Sequence, residues 1–240
     1  MKTTQLPDCT IASALSGRLI VFEGPDGSGK TTLVAALAAA LRGYGVHCER
    51  TAFPGCDDKT LGKLVHEIHH QTDNRRIEKI VPTSLQALHV AAHIDAIEQR
   101  ILPALRKGIC VLLDRFWWST WVYGRVAGVS PKSLRLLLRL EQLHWAGIRP
   151  HVVFLLSRNT HLLSGPLLSV DHEYVRLAKQ QAKLNKVAQL PNDHDVQTTC
   201  ELALRVLLDR RPTRPPRPSR ALVVPSKHPD TGRGSHVPRL

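Results

Sequence analysis

A glycine-rich segment near the start of the chain has the residue types that bind phosphate. Gly24–Thr32 reads GPDGSGKTT and fits the pattern G-x-x-x-x-G-K-[ST]. The apolar run Arg18–Glu23 precedes it and the Ala/Leu-rich stretch Lys30–Arg42 follows it, as strand and helix should. Glycines let backbone N–H groups turn toward phosphate oxygens, and the helix N-terminus adds partial positive charge. The candidate phosphate-binding residues are Gly24, Gly27, Ser28, Gly29, Lys30, Thr31 and Thr32.

Two side chains of this segment have more specific predicted roles. Lys30 is expected to neutralise the β- and γ-phosphates of ATP during catalysis, and the Thr31 hydroxyl is expected to bind Mg²⁺. GTPases, helicases and kinases share this motif, so it indicates nucleoside-triphosphate binding and no particular reaction.

A second charged motif narrows the choice of reaction. Asp114-Arg115-Phe116 ends the apolar run Ile109–Asp114, and the carboxyl ends of buried parallel strands line the ligand crevice of such sheets. Asp114 is therefore a candidate second Mg²⁺ ligand, and Arg115 a candidate for contacting phosphate between donor and acceptor. A surface ion pair is the alternative for Arg115.

Two other motifs are assigned structural roles. His66–His70 reads HEIHH and fits the zinc-protease pattern H-E-x-x-H, but 13 histidines make chance matches easy and no convincing third ligand follows. A solvated helix face is predicted there. Trp117, Trp118 and Trp121 are predicted to pack at the end of the sheet, with a wall of the nucleotide pocket as the alternative.

The elements that must position these residues alternate along the chain. Strands are predicted at 18–23, 46–52, 109–114 and 152–156. Helices are predicted at 30–42, 57–71, 84–106, 131–146, 171–187 and 196–208, with Ser130 as an N-cap. The continuous apolar runs favour strands buried on both faces, hence an α/β fold with a mostly parallel sheet and helices on both faces.

The charge distribution predicts three segments. The net charge is +13, which suggests an anionic partner, but residues 210–240 contain eight basic residues and seven of the 16 prolines. The prediction is a short leader at 1–16, a folded domain at 17–209 and a Pro/Arg-rich disordered tail at 210–240. A solvated tail is favoured over one that contacts nucleic acid or membrane phosphates.

The cysteines and the apolar runs bear on location. The five cysteines are scattered without a CxxC pair, which favours reduced thiols in a cytoplasmic protein. The N-terminus is a poor signal peptide, and no apolar run has the ~18–20 residues that a membrane helix needs.

The segments FEGPDGSGKTT and LLDRFWWSTWVYG together resemble the thymidylate kinase family of nucleoside monophosphate kinases. The resemblance covers about residues 17–208 and is specific at 19–33 and 101–124. It implies a three-layer P-loop kinase fold with a five-stranded sheet. It also implies transfer of the ATP γ-phosphate to a deoxynucleoside monophosphate, most simply dTMP to dTDP. It implies a homodimer as well, for which the helices at 84–106 and 131–146 are candidate surfaces.

The resemblance also assigns residues to the acceptor nucleotide. Asp26 matches the acidic residue near the acceptor sugar and phosphate, with a catalytic role, and Arg115 matches the arginine that bridges the two phosphoryl groups. Family members commonly place Phe and Arg four residues apart against thymine, where this chain has histidines. The candidate acceptor-binding residues are Asp26, Phe53, His89, His93, Ser119 and Tyr123.

Three departures from the family pattern leave alternatives open. The two histidines make the base preference uncertain, and Gly124 replaces a glutamine that often follows Tyr123. Family members usually bring catalytic arginines from a lid segment, which should follow the strand at 152–156. In this chain that segment contains only Arg158 and Arg176, and Arg125 is the candidate to replace a missing lid arginine. The alternatives are a diverged nucleotide-binding protein with weak or no kinase activity, and a kinase for another nucleoside or nucleotide.

Overall fold

The computed structural model describes residues 8–70, 79–157, 165–192 and 195–208. The predicted tail at 210–240 lies outside these ranges, as does Arg158 of the lid segment. Within the described residues, no helix has both the length and the apolar content needed to cross a membrane.

Five parallel strands form one sheet in the order β2-β3-β1-β4-β5. The strands are β1 Leu19–Glu23, β2 Cys48–Ala52, β3 Cys110–Asp114, β4 Val152–Ser157 and β5 Val187–Pro191. Every residue of β1 and β3 is buried, as their uninterrupted apolar runs predicted.

The described helices follow the strands along the chain. They are α1 Asp8–Leu15, α2 Lys30–Gly43, α3 Leu61–His70, α4 Pro82–Ala96, α5 Leu102–Arg106, α6 Trp117–Val126, α7 Pro131–His144, α8 Pro166–Gln181 and α9 Val196–Leu208. A π-helical turn at Ile97–Ile101 joins α4 to α5. The Ser130 side chain accepts a hydrogen bond from the Ser133 backbone N–H at 3.1 Å, which confirms the predicted N-cap.

Alternate residues of β1 face opposite layers of helices. Leu19 and Val21 pack into a core that includes side chains of α5 to α8, while Ile20 and Phe22 pack into a second core with α1, α2 and α9. The sheet is thus covered on both faces, and the predicted three-layer α/β fold is confirmed. Ile11 and Leu15 of α1 belong to the second core, so part of the segment predicted as a leader packs on the domain.

Two predicted helices differ from the structure. The helix predicted at 171–187 is α8, which begins at Pro166 and ends at Gln181, and Val187 begins β5 instead. Strand β5 lies at the sheet edge and has one buried residue, Leu190, so it lacks the apolar run that marks β1, β3 and β4. The helix predicted from residue 57 begins at Leu61, because the Thr60 hydroxyl accepts from the Lys63 backbone N–H and caps it.

Candidate active site

A cavity of about 350 Å³ opens where β1, β2 and β3 end. Its lining includes Asp26 and Thr31 from the glycine-rich segment and its helix, Phe53 after β2, and Asp114 and Arg115 at the end of β3. Side chains of α3, α4 and α6 complete it. The cavity therefore lies at the carboxyl edge of the sheet, where ligands of open α/β sheets bind.

The glycine-rich segment adopts a conformation that only glycine accommodates at two points. Gly24 and Gly29 have positive φ angles of 144° and 88°. A Cβ on Gly24 would lie 2.4 Å from the Leu156 carbonyl oxygen, and one on Gly29 would lie 2.2 Å from the Asn192 amide nitrogen. Glycine is therefore required at position 24 for the loop to pack on β4, and at position 29 its positive φ angle favours glycine.

Lys30 closes this loop on itself. Its Nζ donates to the carbonyl oxygens of Gly24 at 2.9 Å and Pro25 at 2.7 Å, and to the Ser28 hydroxyl at 3.4 Å. Burial, with the nearby Arg115 guanidinium, lowers the pKa of Lys30 to about 8. The predicted phosphate-binding lysine is therefore oriented by the same backbone that would surround a phosphate.

Asp114 and Thr31 meet at the base of the cavity, as predicted for a magnesium site. The Thr31 hydroxyl donates to Asp114 Oδ2 at 2.6 Å. The other carboxylate oxygen, Oδ1, is buried and has no hydrogen-bond partner among the described residues. A buried carboxylate oxygen without a partner beside a hydroxyl fits the oxygen ligands that Mg²⁺ takes.

Arg115 crosses the cavity from the end of β3. Its backbone N–H donates to the Phe22 carbonyl at 2.8 Å, and its φ angle of 73° turns the chain away from the sheet. The guanidinium forms an ion pair with Asp26, donates to the Ser119 hydroxyl at 3.2 Å and lies 5.5 Å from the centre of the Tyr123 ring. Three predicted site residues, Asp26, Ser119 and Tyr123, therefore contact Arg115 in the structure.

Asp26 is held by two of these neighbours. Tyr123 donates from its hydroxyl to the Asp26 carboxylate at 2.8 Å and accepts from the Asp26 backbone N–H at 3.1 Å. Burial alone would raise the pKa of Asp26, but Arg115, Tyr123 and Lys30 outweigh it and lower that pKa. Asp26 is therefore an anion that orients Arg115, in addition to its predicted contact with the acceptor.

Glu23 is a site residue that the motifs did not reveal. Its buried carboxylate accepts from the backbone N–H groups of Phe116 and Ser119, at 2.8 and 3.1 Å, and from the Ser119 hydroxyl at 2.7 Å. Tyr174 on α8 donates to the same carboxylate at 3.1 Å. Burial raises the pKa of Glu23 to about 7, although the bonds from Ser119 and Phe116 and the charges of Arg115 and Lys30 lower it. The sequence did contain one signal for this residue, because Glu23 is the only acidic residue of β1 and ends an otherwise apolar strand.

Ser119 lines the cavity, as predicted, but its hydroxyl is already engaged. It donates to Glu23, accepts from Arg115, and lies 2.8 Å from the Tyr174 hydroxyl. Ser119 therefore positions Arg115, and its predicted contact with the acceptor stays a prediction.

Phe53 and His93 form a wall of the cavity away from the glycine-rich loop. Their rings stack with centroids 4.0 Å apart and planes 11° apart. His93 Nδ1 lies 2.9 Å from a carboxylate oxygen of Glu141, whose other oxygen accepts from the Trp145 indole N–H at 3.2 Å. Glu141 is a buried acid on α7 that sequence spacing did not single out. His93 is consequently fixed in the wall by its partners.

The histidines of α3 also face this cavity. His66, His69 and His70 are exposed or half-buried, as expected for a solvated helix face, but they line the cavity together with His89 of α4. Among the described residues, no group of three or more His, Cys, Asp or Glu side chains could hold a metal ion. The motif His66–His70 thus contributes to the pocket wall.

The other predicted positions have structural partners. Trp117, Trp118 and Trp121 are buried in the core, which favours the packing role over a pocket wall. A side chain at Gly124 would displace Leu134, because a Cβ there would lie 2.6 Å from Leu134 Cδ2. Arg176 is paired with Glu173 on its own helix, and the Arg125 charge lowers the pKa of that same glutamate.

Asn192 is another residue that the motifs did not reveal. It follows β5, donates to the Ser28 carbonyl at 2.7 Å and accepts from the Thr199 hydroxyl at 3.1 Å. It therefore joins the glycine-rich loop to α9 and holds the loop against the sheet.

The sheet order, the glycine-rich loop and the charged residues at the end of β3 are those of a P-loop kinase fold. A sequence profile described as thymidylate kinase matches residues 22–196. The chain belongs to the thymidylate kinase family.

Individual relatives agree with this assignment. The chain is 36% identical to a thymidylate kinase of Pelotomaculum thermopropionicum over 144 residues, covering 60% of this chain and 63% of that protein. It is 39% identical to a thymidylate kinase of Bartonella henselae over 145 residues, covering 60% and 64%. The matches therefore span less than two thirds of these relatives.

A solved structure supports the fold. The crystal structure of thymidylate kinase from Ehrlichia chaffeensis is similar with a TM-score of 0.65 and 22% sequence identity, covering 79% of this chain and 98% of that chain. At this identity the similarity concerns the fold.

Proposed function

We propose that this protein transfers the γ-phosphoryl group of ATP to dTMP, forming ADP and dTDP. The observation that carries the proposal is that Lys30 and the Asp26–Arg115–Tyr123 group line or adjoin one cavity, at whose base Thr31 and Asp114 meet. One cavity thus provides a phosphate-binding loop and a separate set of groups for an acceptor.

The donor phosphates would bind the backbone N–H groups of Gly24–Thr32 at the start of α2. Lys30 would exchange its bonds to backbone carbonyls for bonds to phosphate oxygens, because a lysine buried beside an arginine is strongly stabilised by an arriving anion. Thr31 and Asp114 would hold Mg²⁺, which supplies positive charge to the phosphates.

Arg115 is the group that acts between the two nucleotides. Its guanidinium is held by Asp26 and Ser119, so its orientation is set before substrates bind. Charge that develops on the transferring phosphoryl group then meets an already oriented cation, and the protein reorganises little during the reaction. Positioning and charge neutralisation supply the rate, since phosphoryl transfer requires little covalent chemistry from the protein.

A nucleotide-binding protein with weak kinase activity is the second candidate. The position of Arg176 favours it, because this arginine is paired with Glu173 and does not line the cavity. Fewer cations at the γ-phosphate would weaken stabilisation of the transition state. Tight ATP binding without turnover would favour this candidate.

An acceptor screen tests the proposal. The full chain is incubated with ATP, Mg²⁺ and each nucleoside monophosphate or nucleoside in turn, and ADP formation is measured against the Lys30→Ala variant. We expect the fastest turnover with dTMP. ADP formation that never exceeds the Lys30→Ala baseline would overturn the proposal, and turnover only with a nucleoside would indicate a different kinase.

A homodimer is part of the proposal. Leu136, Leu140 and Leu143 are exposed at 62%, 47% and 78% and lie on one side of α7, at spacings of four and three residues. A second copy would cover this apolar stripe, which lies on one of the two helices predicted from the sequence as candidate dimer surfaces. Sedimentation of the wild type beside Leu143→Lys tests it, with a shift to monomer expected in the variant.

A further inference from the structure

Two histidines on neighbouring helices form a hydrogen-bonded pair in the cavity wall. His69 Nδ1 on α3 and His89 Nε2 on α4 lie 3.3 Å apart, and the two rings meet edge to face with centroids 5.2 Å apart. Both side chains line the cavity, as does Phe53. The outer nitrogens, His69 Nε2 and His89 Nδ1, have no hydrogen-bond partner in the described part of the chain.

Proton counting shows what this pair presents to a ligand. Two neutral imidazoles hold two N–H donors and two acceptor nitrogens, and their mutual bond uses one of each. If His89 donates to His69, then His89 Nδ1 is an acceptor, whereas if His69 donates, His89 Nδ1–H is a donor. The pair therefore offers one donor and one acceptor in either state, and a shift of its protons exchanges them.

The surroundings keep both rings neutral. Burial lowers the pKa of His89 to about 3, and the neighbouring His93, His69 and Arg115 act in the same direction. Burial also lowers the pKa of His69, with His70 and His66 next in effect, and Asp26 opposes them. Near neutral pH the exchange of donor and acceptor thus needs no change in net charge.

We propose that the His69–His89 pair reads the exocyclic group at position 4 of a pyrimidine acceptor and accepts both a 4-oxo and a 4-amino base. A 4-oxo group needs a donor and a 4-amino group needs an acceptor, and His89 Nδ1 supplies either. A guanidinium at this wall would supply donors only. The inference rests on the proposed function for its acceptor class, a pyrimidine nucleoside monophosphate.

The test compares binding of dUMP and dCMP to the full chain by isothermal titration calorimetry. The two ligands share sugar and phosphate, so the ratio of their Kd values cancels effects at the phosphate end. For the wild type we expect the two Kd values to agree within about tenfold, since neither base leaves a buried polar group unpaired.

Two substitutions at the exposed position 69 should move this ratio in opposite directions. His69→Arg can only donate, so His89 Nε2 must accept and Nδ1–H becomes a fixed donor, which favours dUMP. His69→Glu as a carboxylate can only accept, so His89 donates to it and Nδ1 becomes a fixed acceptor, which favours dCMP. We expect a shift of about tenfold each way.

His47→Arg is the matched control. His47 is exposed and precedes β2, at the amino ends of the strands and away from the cavity. The ratio of the two Kd values for His47→Arg should therefore equal that of the wild type. Thermal melting checks that each variant is folded. His69→Arg and His69→Glu test the role of His89 Nδ1 independently of each other.

Three results would overturn the inference: a wild-type preference for dUMP above about a hundredfold, a ratio that both substitutions leave unchanged or move in one direction, or no binding of either nucleotide. The proposed function fails separately, through binding without turnover in the ADP assay.

Discussion

The two ends of the cavity are built in different ways. At the phosphate end, the loop Gly24–Gly29 and the adjoining Lys30 form a unit held by hydrogen bonds between near neighbours. At the base end, Phe53 follows β2, His69 lies on α3, and His89 and His93 lie on α4, so side chains of three separate parts of the chain meet there. The bonds of Lys30 within the loop are local, and Asn192 adds one tie from the end of β5, whereas the base end depends entirely on how separate elements pack.

The two ends also differ in charge. At the phosphate end, Asp26 and Arg115 form an ion pair, and Lys30 is a buried amine bonded to backbone carbonyls. The base end instead has imidazoles that burial keeps neutral, as for His89 with its pKa lowered to about 3. Under the proposed function, phosphate recognition would be electrostatic and common to all acceptors, while base recognition would rely on hydrogen bonds that differ between them.

The largest expected effect is at the phosphate end. Lys30→Ala should lower kcat by about 10³-fold with every acceptor alike, because it removes an oriented cation from the transferring phosphoryl group. Steady-state ADP formation measures it. Lys107→Ala is the control, because Lys107 is exposed and lies at the amino ends of the strands, away from the cavity. A loss that differs tenfold between acceptors would contradict the separation of the two ends.

Arg115→Lys should lower kcat/KM for the acceptor by about 10²-fold. A lysine cannot bond Asp26 and Ser119 while it also contacts a phosphate, because it lacks the planar fork of donors. Initial rates at varied acceptor concentration give the value, and the exposed Arg106→Lys serves as control. Full activity in Arg115→Lys would mean that charge alone suffices there.

A pH profile of kcat/KM for ATP should reveal Lys30. A lysine is cationic below its pKa, so with a pKa of about 8 the active cationic form is present near pH 7 and is lost as the pH rises. We expect a fall of about tenfold between pH 7 and pH 9. The profile of Lys30→Ala should lack this fall over the same range. A wild-type profile that stays level to pH 9 would show that Lys30 remains charged.

The smallest effect is expected at the base end. Glu141→Gln leaves a hydrogen bond to His93 but removes its charge, so KM for the acceptor should rise about threefold with kcat within about twofold, and unfolding free energy should fall by about 1 kcal/mol. Kinetics and thermal melting measure both, with the exposed Glu201→Gln as control. A fall in kcat as large as the rise in KM would place His93 in catalysis. It would contradict the difference proposed between the phosphate end and the base end of the cavity.

Much of the fold and the phosphate end could be predicted from local pattern. Buried strands have continuous apolar runs, and Gly24–Thr32 has residue types that one loop conformation demands. Strand β5 was missed because an edge strand with one buried residue has no such run. Ser119 was placed in the site but not with Glu23, since 96 residues separate the two positions in the chain.

The sequence by itself determined the phosphate-binding loop, the parallel sheet and the charged residues at the end of β3, because each depends on neighbouring residues or on apolar periodicity. Only the tertiary structure decided the polar network of Glu23, Ser119 and Tyr174 and the pairing of His69 with His89. Those contacts join side chains from separate elements, and packing of the helices brings them within hydrogen-bond distance.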